Sequence, residues 1–534
     1  MQDALIIGAG LGGLFTGAIL AKEGLHVTII EKNATIGGGL QSFQRFGEVF
    51  DTGMHVVGGM QPGGNIRRLC EYLGIFDDSL LCPDTSSQLY VAEDGAVYDI
   101  SEGREGFIES LSRYFPHERE NIVRYVDALF RLSDELPLFR LRPDVSAFNV
   151  HSEEFYMPAD AFISRYISDP RLRSVVAYMT PMYSGVANTT PAFMHSIISA
   201  LCINGTSRFV GGSSLFADKL RDVILAHGGE VHTSEGVCKI STQGKKVVSV
   251  TTTKGREFTA DYYISAIHPA TLIQYLDNSE ALPKAYKMRL EQIPNTYSAF
   301  TLNIKFKPET FRQLEHTVYF TDHYGDEWHY GDAQETIAGQ DTTPHAPDAT
   351  NDAPESSTWP LGFLYMTPPE HSALPSSAYA RKMIVTAPMA WSHVRQWEDS
   401  SLGHRPADYK AWKEHCAEAV IERLERIHPG FRDCIEAINT ASPLTIRDYY
   451  GVKHGSMCGY QKDSKNITMS HLAVTTKIPN LLLTGQCVHL HGFCGVPLTA
   501  IKTCEAILGE NHVLNKIQQS ASSSVEDSAP SANA

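Results

Sequence analysis

Hydrophobic and polar positions fall into three separated patterns in which an apolar run leads directly into a glycine turn. The first is at the start of the chain. Ala4 to Ile7 are uniformly apolar, as in a strand buried on both faces of a parallel sheet. Gly8-x-Gly10-x-x-Gly13 follows at once, and Leu14, Ala18 and Ala21 then recur at helical spacing up to Gly24, a natural C-cap. His26 to Glu31 alternates like a second strand, and Glu31 lies 23 residues after Gly8. The unit reads as strand, turn, helix, strand and acid. Gly8 permits the tight turn, Gly10 lets the backbone approach a pyrophosphate, and Gly13 lets the helix lie close to the sheet. The helix start offers free N–H groups and a positive dipole end to phosphates, and Glu31 stands where a ribose hydroxyl is held.

The second pattern lies mid-chain, where Gly211-Gly212-Ser213-Ser214 opens a helix that Gly228-Gly229 closes, with Ser213 or Ser214 as its cap. Strands are expected at residues 235–240, 246–252 and 258–267, followed by a turn at His268-Pro269. In the third pattern, Leu481 to Leu483 lead into Thr484-Gly485-Gln486. Gly492 to Ala500 then starts a helix, and Pro497 is expected in its first turn.

Between these lie amphipathic helices at 107–136 and 160–179, an apolar helix at 191–202 and a hairpin at 89–98. Alternating segments at 297–306, 361–366 and 383–387 predict an antiparallel sheet, and residues 409–427 predict an amphipathic helix ending at Pro429-Gly430. Two roles stay open for the apolar helix at 191–202, a core element or the lining of a lipid tunnel; its His195 reads as a packed core residue.

With 534 residues and 43% hydrophobic content, two or three domains and a large core are expected. A net charge of −16 and the lack of a basic stripe disfavour nucleic acid. No apolar stretch is long enough to span a bilayer, and the first strand begins too early for a signal peptide to precede it. Ten cysteines without a CxxC pair suggest reduced thiols in a cytoplasmic protein. His489 and His491 lack a third ligand, so no metal site is expected.

Glu31-x5-Gly37-Gly38 resembles the FAD enzymes of the amine oxidase and phytoene desaturase superfamily. Those enzymes often carry Arg after the double glycine, where this chain has Gly39-Leu40. Phe50-Asp51-Thr-Gly53-Met54-His55 and the stretch Ser442 to Tyr460 resemble its retinol saturase and carotenoid isomerase branch. The resemblance implies an α/β fold: a Rossmann-type FAD-binding domain built from discontinuous segments, with a mixed α+β substrate (cap) domain. The FAD domain is expected from residues 1–75, 205–275 and 446–515, and the cap from 76–204 and 276–445. Residues 331–357 are expected to be a mobile insertion and 516–534 a disordered tail.

For the cofactor, the resemblance implies contacts from Gly8, Gly10, Leu11, Gly12, Gly13, Glu31 and Lys32, then from Gly37, Gly38, Gly39, Leu40, Met54 and His55. It adds Val237, Gly485, Gln486, Gly495 and Val496, with Gln486 replacing a usual Asp and the helix start near Gly495 polarising a flavin carbonyl. His55 and His491 are candidate proton-handling residues, while for His55 a satisfied buried histidine beside a turn-capping Asp51 is the other open reading.

The implied activity is flavin-dependent saturation, desaturation or isomerisation of a carotenoid- or retinoid-like polyene, with a possible peripheral membrane contact. No second dinucleotide cradle follows, so NAD(P)H would share the pocket or yield to a quinone or O2. The alternatives are a flavin amine or porphyrinogen oxidase and a non-catalytic prenyl-lipid escort protein of the same fold.

Overall fold

In the computed structural model, which describes residues 2–143, 151–332, 336–337 and 358–526, the three glycine patterns meet in one five-stranded parallel sheet. Its order is Glu230–His232, His26–Ile30, Asp3–Ile7, Tyr262–Ser265 and Leu481–Leu483. Asp3–Ile7 is central because its residues after Asp3 are apolar and buried. The helices Leu11–Lys22, Ser214–Ala226 and Gly492–Leu508 leave this sheet at its carboxyl edge or pack on it. A meander of Val237–Gln243, Lys246–Thr252 and Glu257–Phe258 stands beside it.

The second layer is a seven-stranded sheet in the order Ile435–Ala441, Ser298–Phe306, Lys382–Met389, Gly362–Met366, Thr317–Thr321, Ser86–Val91 and Ala96–Ser101. All its pairs are antiparallel except Thr317–Thr321 with Ser86–Val91. Period-two alternation sorts its two faces. Phe300, Leu302, Ile304, Met383, Val385 and Ala387 enter a core closed by the helix Ala407–Ile427. Ala299, Thr301 and Thr386 face the other way.

The segments expected as single helices are broken where proline removes a donor: Arg104–Tyr114 and Arg119–Asp134 flank Pro116, and Ala159–Tyr166 stops before Pro170–Val176. The apolar helix Ala192–Asn204 is a core element, buried along nearly its whole length and packed against Arg119–Asp134. Among the described residues, no helix is long and apolar enough to cross a membrane.

Three expectations are corrected. Pro497 is the sixth residue of Gly492–Leu508 and lies inside the helix, where it deletes one main-chain bond. Ser213 occupies the N-cap of Ser214–Ala226 but does not cap it, because its hydroxyl bonds Leu40 O and Asp51 Oδ1. The tail expected to be disordered from residue 516 continues the helix His512–Glu526. That helix buries Val513, Leu514 and Ile517 and pairs His512 and Lys516 with Glu23. Residues 527–534, and the 331–357 insertion apart from 331–332 and 336–337, lie outside the described residues.

His195 shows how this core handles a polar group. It is fully buried, with Nε2 2.6 Å from Tyr125 Oη and Nδ1 2.9 Å from Tyr183 Oη. A neutral imidazole donates at one nitrogen and accepts at the other, so both hydroxyls are satisfied. Burial pushes its pKa down from 6.5 to about 3. Between those values the unfolded chain binds the extra proton, so stability is fully present above pH 6.5 and is lost as pH falls toward 3. Thermal unfolding of His195→Gln should therefore show a lower midpoint at neutral pH and a smaller further drop on acidification than the parent. A parallel drop in both would assign the acid sensitivity to other groups.

Candidate functional site

The glycine turns converge on an elongated cavity of about 440 Å³ at the carboxyl edge of the parallel sheet. At one end, Glu31 is 7% exposed and accepts from Ala9 N through Oε2 and from Asn33 N through Oε1, both at 2.8 Å. The carboxylate thus locks the first glycine turn to the end of the second strand, and each oxygen keeps acceptor capacity for a hydroxyl. Lys32 donates to Asp448 O at 3.0 Å, which ties the helix Pro443–Tyr450 to this end. Burial lowers the Lys32 pKa, against the pull of Glu31 and Asp448.

The glycines differ in what makes them necessary. A Cβ on Gly13 would lie 2.0 Å from Gly8 O, and one on Gly12 would lie 2.9 Å from Gly485 Cα. These two answer to protein neighbours. A Cβ on Gly10 would meet nothing within 4 Å, although Gly10 lines the cavity. Its bareness leaves room for a ligand to approach the main chain, next to the free N–H groups that start Leu11–Lys22. The second glycine loop is held alongside: Gly37 at φ 110° donates to Ala9 O at 2.8 Å, and Gly38 at φ 57° turns the chain into the wall.

Of the residues singled out from the sequence, Gly8, Gly10, Leu11, Gly12, Glu31, Lys32, Gly38, Gly39, Leu40, Met54, His55, Val237, Gly485, Gln486 and Val496 line this one cavity. Gly13, Gly37, Gly495 and His491 do not. Gly13 and Gly37 act one layer behind, shaping the turns. Gly495 answers to the loop before it, since its Cβ would lie 2.5 Å from Leu490 Cβ. His491 is buried at the N-cap of Gly492–Leu508; its Nε2 has no partner, and burial pushes its pKa down to about 3. The His489 and His471 rings lie tilted against each other with centroids 4.3 Å apart, and no group of metal-ligating side chains forms among the described residues.

His55 is 9% exposed, and its buried Nδ1 has no hydrogen-bond partner. Burial lowers its pKa while Asp51 opposes the shift. Asp51 does more than cap a turn. Its Oδ1 accepts from Ser42 Oγ, Ser213 N and Ser213 Oγ at 2.7–2.8 Å, pinning the segment before His55 to the start of Ser214–Ala226.

Sequence reasoning missed Ala299, Thr301 and Thr386, which floor the cavity from the seven-stranded sheet. Thr301 and Thr386 are register partners, and the buried Thr386 Oγ1 has no partner. The strict alternation around Thr301 was the available signal, because it sets Thr301 opposite the core-facing Phe300 and Leu302. Tyr449, Tyr450 and Met457 complete the wall, with Tyr450 Oη donating to Thr52 Oγ1 at 2.9 Å.

Bare main chain at Gly10, a carboxylate with spare acceptors at Glu31, and unmet polar atoms on His55 and Thr386 fit an extended dinucleotide carrying a polar ring system. Glu31→Gln would keep the shape of the side chain but turn an amide N–H₂ toward one of two main-chain donors. It should weaken FAD binding by about 1–3 kcal/mol, measured as cofactor fluorescence released at equilibrium. Unchanged affinity would mean that Glu31 does not hold the cofactor.

Comparison with known proteins places this geometry. Residues 11–508 match the family described as flavin containing amine oxidoreductase. The chain is 25% identical to the all-trans-retinol 13,14-reductase of Rattus norvegicus, with 95% of this chain and 86% of that one covered. It is 26% identical to prolycopene isomerase 2, chloroplastic, of an Oncidium hybrid cultivar, with 85% and 74% covered. Among solved structures, an oxidoreductase from Methanosarcina mazei superposes with a TM-score of 0.63 at 19% identity, covering 94% of this chain and 100% of that one. A putrescine oxidase bound to putrescine gives 0.61 at 14% identity, covering 95% and 99%. The chain belongs to the flavin-containing amine oxidoreductase family and is an FAD-dependent oxidoreductase.

Proposed function

We propose that this enzyme saturates, desaturates or isomerises carbon–carbon double bonds of a hydrophobic polyene, carotenoid- or retinoid-like. The observation that carries the reading is the charge inventory of the cavity: among its lining residues the only carboxylate is Glu31, already engaged by two main-chain N–H groups. An amine substrate, charged at neutral pH, would be favoured by a free carboxylate beside its nitrogen, which none of the described lining residues offers. The wall formed by Ala299, Thr301, Ile446, Val452 and Met457 instead suits an uncharged chain. The names of the two polyene-acting relatives support the same substrate class.

FAD, when bound, supplies two-electron hydride chemistry, so no protein nucleophile is needed. The chain's own residues bind, orient and keep the site dry. Gly8, Gly10 and the start of Leu11–Lys22 would hold the pyrophosphate, and Glu31 the ribose. The sheet floor at Ala299, Thr301 and Thr386 would position substrate or ring system. His55, neutral at pH 7 and with Nδ1 unpartnered, is placed to hold or pass a proton at that nitrogen. The electron partner, in our reading NAD(P)H, a quinone or O2, would reach the same cavity. We place the protein in the cytoplasm, consistent with ten free cysteines.

Purified holoprotein incubated with candidate polyenes should yield products whose masses distinguish gain of hydrogen, loss of hydrogen and isomerisation. Oxidation of amines, with polyenes left untouched, would reverse the reading. His55→Ala should retain FAD and slow turnover by about 10²–10⁴-fold if His55 moves a proton, and near-parent rates would make it a packing residue. A peripheral membrane contact, expected for an enzyme taking a lipid-like substrate, should appear as vesicle co-sedimentation reversed by salt or mild detergent. Absence from the vesicle pellet at low salt would exclude it.

A further inference from the structure

Lys462 is a buried cation without a counter-ion. It is 5% exposed, and its Nζ donates to Ser470 O at 2.6 Å and Val488 O at 3.3 Å. Among the described residues no carboxylate forms an ion pair with it. The acidic group that acts on it is the Cys487 thiol, which burial pushes up to about 12 and so keeps neutral. The neighbouring charge is another cation, Arg289, which donates to Met469 O, Thr468 O and His471 O on the same segment. Burial lowers the Lys462 pKa to about 8, which still leaves it charged at pH 7.

Unpaired buried charges are costly and are retained where something pairs with them. The position of Lys462 indicates what that is. Its acceptor Val488 closes the turn that starts at Gly485, with Val488 N donating to Gly485 O at 3.2 Å. Gly485, Gln486 and Cys487 in that turn line the cofactor cavity. Lys462 therefore stands directly behind the wall, and its charge disfavours protonation of His491 at the start of Gly492–Leu508. Among the described residues of the wall itself the only cation is Lys32, at the Glu31 end.

We propose that Lys462 is a positioning residue that supports the Gly485–Val488 turn and supplies, through it, the positive charge that stabilises the reduced flavin. Adding two electrons and one proton to the neutral ring system leaves one net negative charge, and a cation held behind the wall favours that state. This rests on the assignment of the cavity to FAD with its ring system on the Gly485–Val496 side.

The test is the two-electron reduction potential of FAD in the holoprotein, from anaerobic titration with a low-potential reductant against a reference dye. Lys462→Met removes the charge, and Lys462→Gln removes it while keeping a donor for Ser470 O and Val488 O. Both should shift the reduced-to-oxidised ratio about tenfold toward oxidised at fixed ambient potential, about 30 mV lower. Lys462→Arg, if it retains FAD, should stay near the parent. Unchanged potentials in FAD-replete neutral variants, or loss of FAD from both of them, would return Lys462 to a strut for the turn. A parent protein that cannot bind FAD would instead refute the cavity assignment.

Discussion

Two glycine turns from opposite ends of the chain must touch backbone to backbone, and the rest of the site depends on that contact. A Cβ on Gly12 would come within 2.9 Å of Gly485 Cα, so any side chain there would part the loops leaving Asp3–Ile7 and Leu481–Leu483. Tyr262–Ser265 separates those strands in the sheet, so their loops meet by reaching across it. Because they meet, Gly10, Leu11 and Gly12 at the start of Leu11–Lys22 and Val496 of Gly492–Leu508 line one cavity. The hydroxyls of Thr16 and Thr484, 3.1 Å apart, repeat the contact one layer deeper.

Around this contact the polar groups are arranged so that few charges are spent on the wall. Glu31 uses its charge on two main-chain donors, Asp51 on Ser42 and Ser213, and Asp84 on the fully buried Arg208. Each carboxylate stabilises chain geometry. Two of the buried polar atoms without a partner, on His55 and Thr386, belong to residues that line the cavity. In the core, by contrast, Tyr125, His195 and Tyr183 satisfy one another.

The cofactor end was legible because its chemistry is local. Strand, glycine turn, helix and acid follow one another within the first 31 residues, each fixed by near neighbours in sequence. Glu31 could be placed beside the first glycine turn, at the end of the second strand, from spacing alone. The substrate side was not legible to the same degree, because Thr301 and Thr386 matter only through a register between strands some 80 residues apart. Lys462 is ordinary in sequence, and its isolation from carboxylates is a property of the folded core. Pro497 and the C-terminal helix were misjudged for a related reason. Tertiary packing held a proline inside a helix and fixed a Ser- and Ala-rich end through Val513, Leu514 and Ile517. Local propensity is a weak guide where burial decides.

The shared fold leaves chemistry open, since the putrescine oxidase structure superposes well at only 14% identity. In our reading, an amine site and a polyene site on this fold would differ in a small number of charges. Here the seven-stranded sheet presents Ala299, Thr301 and Thr386 to the cavity, and the buried charge behind the wall, on Lys462, is positive. A positive field disfavours a protonated amine in the cavity and favours electrons on the ring system that the cavity holds. The same buried lysine would therefore act on both substrate choice and redox poise, which ties the direction of selection to the sign of one uncompensated charge.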